Sequence, residues 1–268
     1  MIMDDTYLHR QQINKPLFSD VVWSRPVQKA TAGKLALIGG SAQGFNSLST
    51  AFAAADKAGA GVIRTLLPDS LKKIVSMLLP ESEFAPSTKS GSFAAKALTD
   101  WLDISSWADG VIICGDLGSN SETAALLENY AEKIPALLTL AGDSVTILSA
   151  AAGSILSNDR LTLSLELSQL QKLLTNIRYP MAVTSQMTLF QLAEVLHAIS
   201  QNYPWAIITQ HLELFFVAYR GEVSTTPAQK HTLLQATASA TVWRIQQPAK
   251  PFAAMTSGIY SLGSGAAA

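Results

Sequence analysis

The chain has 268 residues, 48% of them hydrophobic and 15% charged, with 19 Lys plus Arg against 20 Asp plus Glu. That length and apolar content suffice for one large domain with a sheet buried on both faces. The balanced charge excludes the overall basic field that draws nucleic acid or an anionic membrane.

No uninterrupted apolar run of about 18 residues predicts a spanning helix. The opening MIMDDTYLHRQQ carries adjacent acids and no apolar run of the signal-peptide kind. A lone Cys114 forms no intrachain disulfide, so a cytoplasmic protein is expected. Residues 1–33 are polar and irregular apart from Pro16-Leu17-Phe18 and Trp23-Ser24-Arg25-Pro26, whose apolar groups are expected to anchor a lead-in segment on the body.

From Lys34 short apolar runs alternate with helical periodicity, the pattern of βα units on a mostly parallel sheet. Strands are predicted at 34–38, 62–67, 110–114, 135–140, 160–164, 180–184 and 205–209, with helices near 47–58, 70–79, 93–104, 120–132, 144–151, 166–175 and 187–200. Segments 212–219 and 222–226, split by Arg220-Gly221, read as an antiparallel hairpin. Helices at about 231–246 and 251–261 follow, and residues 263–268, GSGAAA, read as a linker or an added tail.

The first strand runs into Gly39-Gly40-Ser41-Ala42-Gln43-Gly44 and then a helix rich in small residues. Strand, glycine turn and helix place backbone N–H groups and a positive helix end at the carboxyl edge of a sheet, where an anion is favoured. Neither standard phosphate fingerprint is met. Gly39 and Gly44 have the Walker A spacing, but Phe45 follows where Lys belongs, and Ser41 stands at the second glycine of the dinucleotide pattern. The alternative is that the glycines serve only a tight turn and close packing, a role that Ala51, Ala53, Ala54, Ala55 and Ala58 also suit.

Residues 108–123, ADGVIICGDLGSNSET, repeat the logic, with Ser119 and Glu122 as a capping box at the helix start. Two such turns would border one crevice outside the strand ends. The candidate ligand-binding residues are Gly39, Gly40, Ser41, Gly44 and Asn46 from the first turn and Gly115, Asp116, Gly118, Ser119 and Asn120 from the second. Asp116 would repel a phosphate unless a cation stood between them; its plainer role is to satisfy turn amides. Asp143 reads first as a helix cap, and these two carboxylates are the candidate catalytic groups. His211 and Glu213 alternate on a predicted strand, but two residues on one face do not make a metal site. No metal centre is expected. Trp101 and Trp107 flank an amphipathic helix and are read as packing on the sheet.

Taken with these landmarks, GKLALIGGS at 33–41 and a small-residue helix ending AGAGVI resemble the ADP- or ATP-dependent NAD(P)H-hydrate dehydratases, which have a ribokinase-like fold. Leu79-Pro80-Glu81, ADGVIICGDLG and LLTLAGDSV are similar to that family's Pro-Glu, Gly-Pro-Gly-Leu-Gly and Asp-Ala-Asp segments, and ASATVWRIQQPAKPFAAMTSGIY resembles its two closing helices. The resemblance spans about residues 24–262 and implies a three-layer α/β/α domain over 34–262. It further implies ADP or ATP with Mg as a cofactor and NAD(P)H or its hydrate as a ligand.

The departures fall on chemistry. The resemblance aligns the family's Gly-x-Gly-Asp with Ala238-Ser239-Ala240-Thr241, without the carboxylate that acts as base. Ala141 replaces the first Asp of Asp-Ala-Asp, and the family's His-Pro-Gly-Glu becomes SLELS at 164–168, with Glu166 the one acid left. A catalytically defective relative that binds a nucleotide or phosphorylated metabolite is therefore expected. The rivals are an active dehydratase that uses a relocated Asp116 or Asp143, and a structural subunit, a homo-oligomer included, that uses the old crevice as an interface.

Overall fold

The computed structural model describes residues 5–77, 81–149 and 157–264. Its strands are β1 (Leu8–Arg10), β2 (Lys34–Ile38), β3 (Val62–Pro68), β4 (Glu83–Ala85), β5 (Gly110–Ile113), β6 (Leu137–Leu140), β7 (Leu161–Leu165), β8 (Ala206–His211), β9 (Leu214–Tyr219) and β10 (Glu222–Pro227). They form one sheet in the order β1-β10-β9-β8-β7-β6-β5-β2-β3-β4. Pairing is parallel except where β9 lies antiparallel to β8 and β10. β10 therefore runs the same way as β8, and its carboxyl end lies at the same edge as those of β2, β5, β6 and β7.

The helices are α1 (Ser19–Trp23), α2 (Asn46–Lys57), α3 (Lys72–Val75), α4 (Leu98–Trp107), α5 (Ser121–Lys133), α6 (Asp143–Ser149), α7 (Leu167–Asn176), α8 (Leu189–Asn202), α9 (Leu233–Gln246) and α10 (Pro251–Ser264). They cover both faces of the sheet. Along β5, Val111 and Ile113 enter one core with Trp101 of α4 and Leu127 of α5, whereas Ile112 and Cys114 enter a second core with Ala51 of α2 and Ala238 of α9. Burial on both faces is why the central strands read as unbroken apolar runs rather than as alternation.

Small side chains let the second face pack closely. A Cβ on Gly258 of α10 would stand 2.8 Å from the Ser239 carbonyl oxygen of α9, so the two helix backbones meet with nothing between them. Two buried hydroxyls of α9 find partners on the sheet: Thr241 Oγ1 lies 3.0 Å from Thr139 Oγ1, and Thr237 Oγ1 lies 2.6 Å from Ser164 Oγ. Each pair satisfies groups that would otherwise be costly to bury.

Several expected elements differ. Residues 180–184 form no strand; Pro180 has no N–H to donate to a ladder, and the segment links α7 directly to α8. The helix expected at 70–79 is a short 3-10 turn at Asp69–Leu71 followed by α3, with 78–80 outside the described residues. The helix expected at 144–151 is α6 as far as Ser149, and 150–156 lie outside the described residues. The hairpin of β9 and β10 is not the sheet edge, because β1 of the lead-in segment pairs with β10 in parallel. α10 continues through Ser264, two residues into the segment read as a tail; 265–268 lie outside the described residues. No helix among the described residues is long and apolar enough to cross a membrane.

Candidate functional site

The carboxyl ends of β2 and β5 bring the two glycine turns into direct contact. Gly40 N donates to Gly115 O at 3.1 Å, and a Cβ on Gly39 would stand 2.8 Å from that same oxygen. Gly39 is thus required by the close approach of two backbones, and Gly40, at φ 93°, by the turn itself. The other amides of Gly39–Gly44 are also engaged. Gly39 N donates to Leu66 O at 3.3 Å, Ser41 and Gly44 bond each other in both directions at 2.9 Å, and Ala42 N donates to Gly91 O at 3.0 Å.

That last bond reveals a third partner, the loop Thr88–Phe93, which the sequence reading missed. Asn120 Nδ2 donates to Ser90 Oγ at 3.0 Å, and a Cβ on Gly118 would stand 2.7 Å from Ser92 Oγ. Its signal in the sequence was the turn-forming cluster Ser87-Thr88-Lys89-Ser90-Gly91-Ser92. Asn46, the first residue of α2, and Ser119 are exposed at the rim, and Gly44 is half-buried. The cap of α5 is Asn120, whose Oδ1 accepts from Glu122 N at 2.8 Å, rather than the expected Ser119; Glu122 instead accepts from Ala95 N at 3.0 Å.

Asp116 sits in the left-handed region at φ 58°. Its Oδ2 accepts from Ser47 N in the first turn of α2 at 2.8 Å. The chain's own carboxylate therefore occupies the positive end of the helix where a ligand anion would otherwise be favoured.

Asp143, the first residue of α6, reaches back to the second turn: its Oδ2 accepts from Gly118 N at 3.1 Å, while Oδ1 is buried without a partner among the described residues. Burial raises its pKa above the ordinary 3.8, with the amides of Gly118 and Leu117 pulling the other way and the nearby Asp116 charge adding to the rise. The folded state then holds this proton more tightly than the unfolded chain. Its contribution to stability is fullest below the unfolded pKa and is lost as pH rises through the folded one. Relative to an Asp143→Asn variant, which cannot titrate, the wild type is expected to lose stability over the range in which pH rises from the ordinary 3.8 through the raised folded value. Melting curves of the two proteins across that range check this, and a gap independent of pH contradicts it.

The tetrad Ala238-Ser239-Ala240-Thr241 is not at a helix start. It lies buried in the middle of α9, whose amino end is Thr232-Leu233-Leu234-Gln235. There a capping box joins Thr232 N to Gln235 Oε1 at 2.9 Å and Gln235 N to Thr232 Oγ1 at 3.3 Å, and the first turn holds no acid. Glu166 is the N-cap of α7 in a capping box with Gln169. His211 ends β8 with Nε2 2.7 Å from Met187 O, and Glu213 lies beyond a tight turn at Leu212 (φ 53°), so the two do not share a strand face. Among the described residues no group of three or more His, Cys, Asp or Glu is placed to hold a metal ion.

No protein-family profile and no curated protein sequence matches the chain. Solved structures do. A ribokinase-like superfamily protein from Enterococcus faecalis V583 superposes with a TM-score of 0.70 at 16% identity, over 96% of this chain and 87% of that one. A hypothetical protein from Streptococcus mutans gives 0.68 at 15%, over 90% and 84%. The ADP/ATP-dependent NAD(P)H-hydrate dehydratase of Bacillus subtilis, co-crystallised with ATP and Mg2+, gives 0.63 at 13%, over 94% and 89%. These likenesses give the chain a ribokinase-like fold, related at low identity to that of the dehydratase.

Proposed function

We propose that this protein binds a nucleotide or another phosphorylated metabolite at the carboxyl edge of its sheet and does not turn it over as a dehydratase. The observation that carries this reading is the first turn of α9, which offers a helix amino end to an anion but no carboxylate to act as base. The amino ends of α2, α5, α6 and α7 face the same edge, which follows from the strand directions. ADP or ATP with Mg is the ligand class suggested by the dehydratase co-crystallised with ATP and Mg2+, with NAD(P)H or its hydrate as the second candidate.

Asp116 and Asp143 are poor replacements for a lost base. Each carboxylate is committed to a backbone amide of the turns, Ser47 N and Gly118 N. Incubation with hydrated NADPH, ATP and Mg2+ tests this. No regeneration of NADPH is the expected result. Regeneration that disappears in Asp116→Asn or Asp143→Asn would instead establish an active enzyme with a relocated aspartate.

A further inference from the structure

Away from the glycine turns, the amino end of β9 and the carboxyl end of β10 meet the last turns of α10 and the lead-in segment around a cavity of about 10 Å³, the space of a single water molecule. Its polar lining comes from Gln12, Thr226, Gln229, His231 and Tyr260, over an apolar floor that includes Phe215 and Ile259. Among the described residues that line it there is no carboxylate, lysine or arginine.

Two features set this cavity apart from ordinary packing. Thr226 is only 4% exposed, yet its Oγ1 is buried with no partner among the described residues, a condition that is costly unless something fills it. Gln229 holds a left-handed backbone at φ 51°, unfavourable for a residue with a side chain. A Cβ on Gly263 would stand 2.5 Å from Gln229 Nε2, so the absence of a side chain there is what lets the amide lie against α10.

The lead-in segment contributes Gln12 and Ile13, the latter 57% exposed. This stretch is held by one buried side chain, Gln11. Its Nε2 donates to Gln12 O at 2.6 Å and Lys15 O at 2.5 Å, and its Oε1 accepts from Leu17 N at 3.0 Å. On the sheet side Gln11 N donates to Thr225 O at 2.8 Å. β1 pins one end of this stretch and Val21 of α1, 1% exposed, the other, so the turn between them can open locally without global unfolding.

We infer that the segment Gln11–Leu17 is a lid over a binding site for a small uncharged group with an apolar ring and a hydrogen-bonding edge, such as a carboxamide or a heterocycle. The Thr226 hydroxyl and the amides of Gln12 and Gln229 supply donors and acceptors, and Phe215 and Ile259 the apolar floor. Closed, the site admits one water; open, it admits the ring. This inference does not depend on the nucleotide reading above, because its test uses no nucleotide.

The test places a thiol in the site. In a Thr226→Cys variant the native cysteine, Cys114, is 1% exposed and should react little with a maleimide. Labelling at position 226 is expected to be slow with the native lid and about tenfold faster when Gln11→Ala or the size-preserving Gln11→Glu is added, since both remove the amide donors that hold the turn. Benzamide, an uncharged ring with a carboxamide edge, is expected to slow labelling in the lid-released proteins. Equal rates with and without the Gln11 substitutions would overturn the lid, and labelling indifferent to benzamide would overturn the site. Matching melting curves for both Gln11 variants exclude unfolding as the cause of faster reaction.

Discussion

Replacing Asp116 with glycine is expected to tighten binding of ATP with Mg2+ by about tenfold or more, through loss of a like charge and release of the first turn of α2. In the wild type the Asp116 carboxylate accepts from Ser47 N at 2.8 Å and so fills the position at which a phosphate would gain most from the helix end. The fold should tolerate the change. Loss of the hydrogen bond costs about 1 kcal/mol, and relief of a left-handed non-glycine residue returns about 1 kcal/mol. Asp116→Asn, which removes the charge but keeps an acceptor, should fall between wild type and Asp116→Gly. Unchanged affinity in both variants would show that the phosphates do not face α2 at all.

Trp101→Ala is expected to lower the unfolding free energy by about 3–5 kcal/mol in chemical denaturation. The ring is 0% exposed and stands edge-on to Phe93 and to Tyr130, each at 5.0 Å between centroids. Tyr130 is fixed in turn by a 2.6 Å contact between its hydroxyl and Ser105 Oγ. Removing the indole leaves a cavity between α4, α5 and the sheet that these two aromatic rings cannot close without giving up their geometry. Trp101→Phe should cost less, because the indole N–H has no partner among the described residues and its loss breaks no hydrogen bond. A loss below about 1 kcal/mol for Trp101→Ala would mean that the cluster repacks around the missing ring.

The order of βα units was readable because strands buried on both faces are short apolar runs bounded by glycine, as at Leu35–Ile38 and Gly110–Ile113. The two glycine turns were readable for the same reason, and they do lie together. What they do with their amides was not readable. Whether Gly40 N meets a phosphate or the Gly115 carbonyl depends on how two distant turns dock, and nothing local encodes that docking.

Other misreadings have equally specific causes. β1 is the polar tripeptide Leu8-His9-Arg10, whose strand character comes from pairing with β10 and not from its own pattern. The run Pro180–Thr184 carries the apolar composition of a strand but buries Val183 from a loop. Ala238–Thr241 resembled an eroded catalytic tetrad because small and hydroxylated residues also suit a helix pressed against a sheet, where Thr241 answers Thr139. Asp143 read as a cap, whereas its carboxylate braces Gly118 across the site.

The central claim is that the carboxyl edge still takes a nucleotide. A calorimetric titration of the full chain with ATP and Mg2+, repeated after saturation with NADPH, tests it most directly. Saturable heat, weaker in the wild type than in Asp116→Gly, is the predicted result. No heat in either protein, with no change in melting temperature, would contradict the claim and leave the glycine turns as packing devices only.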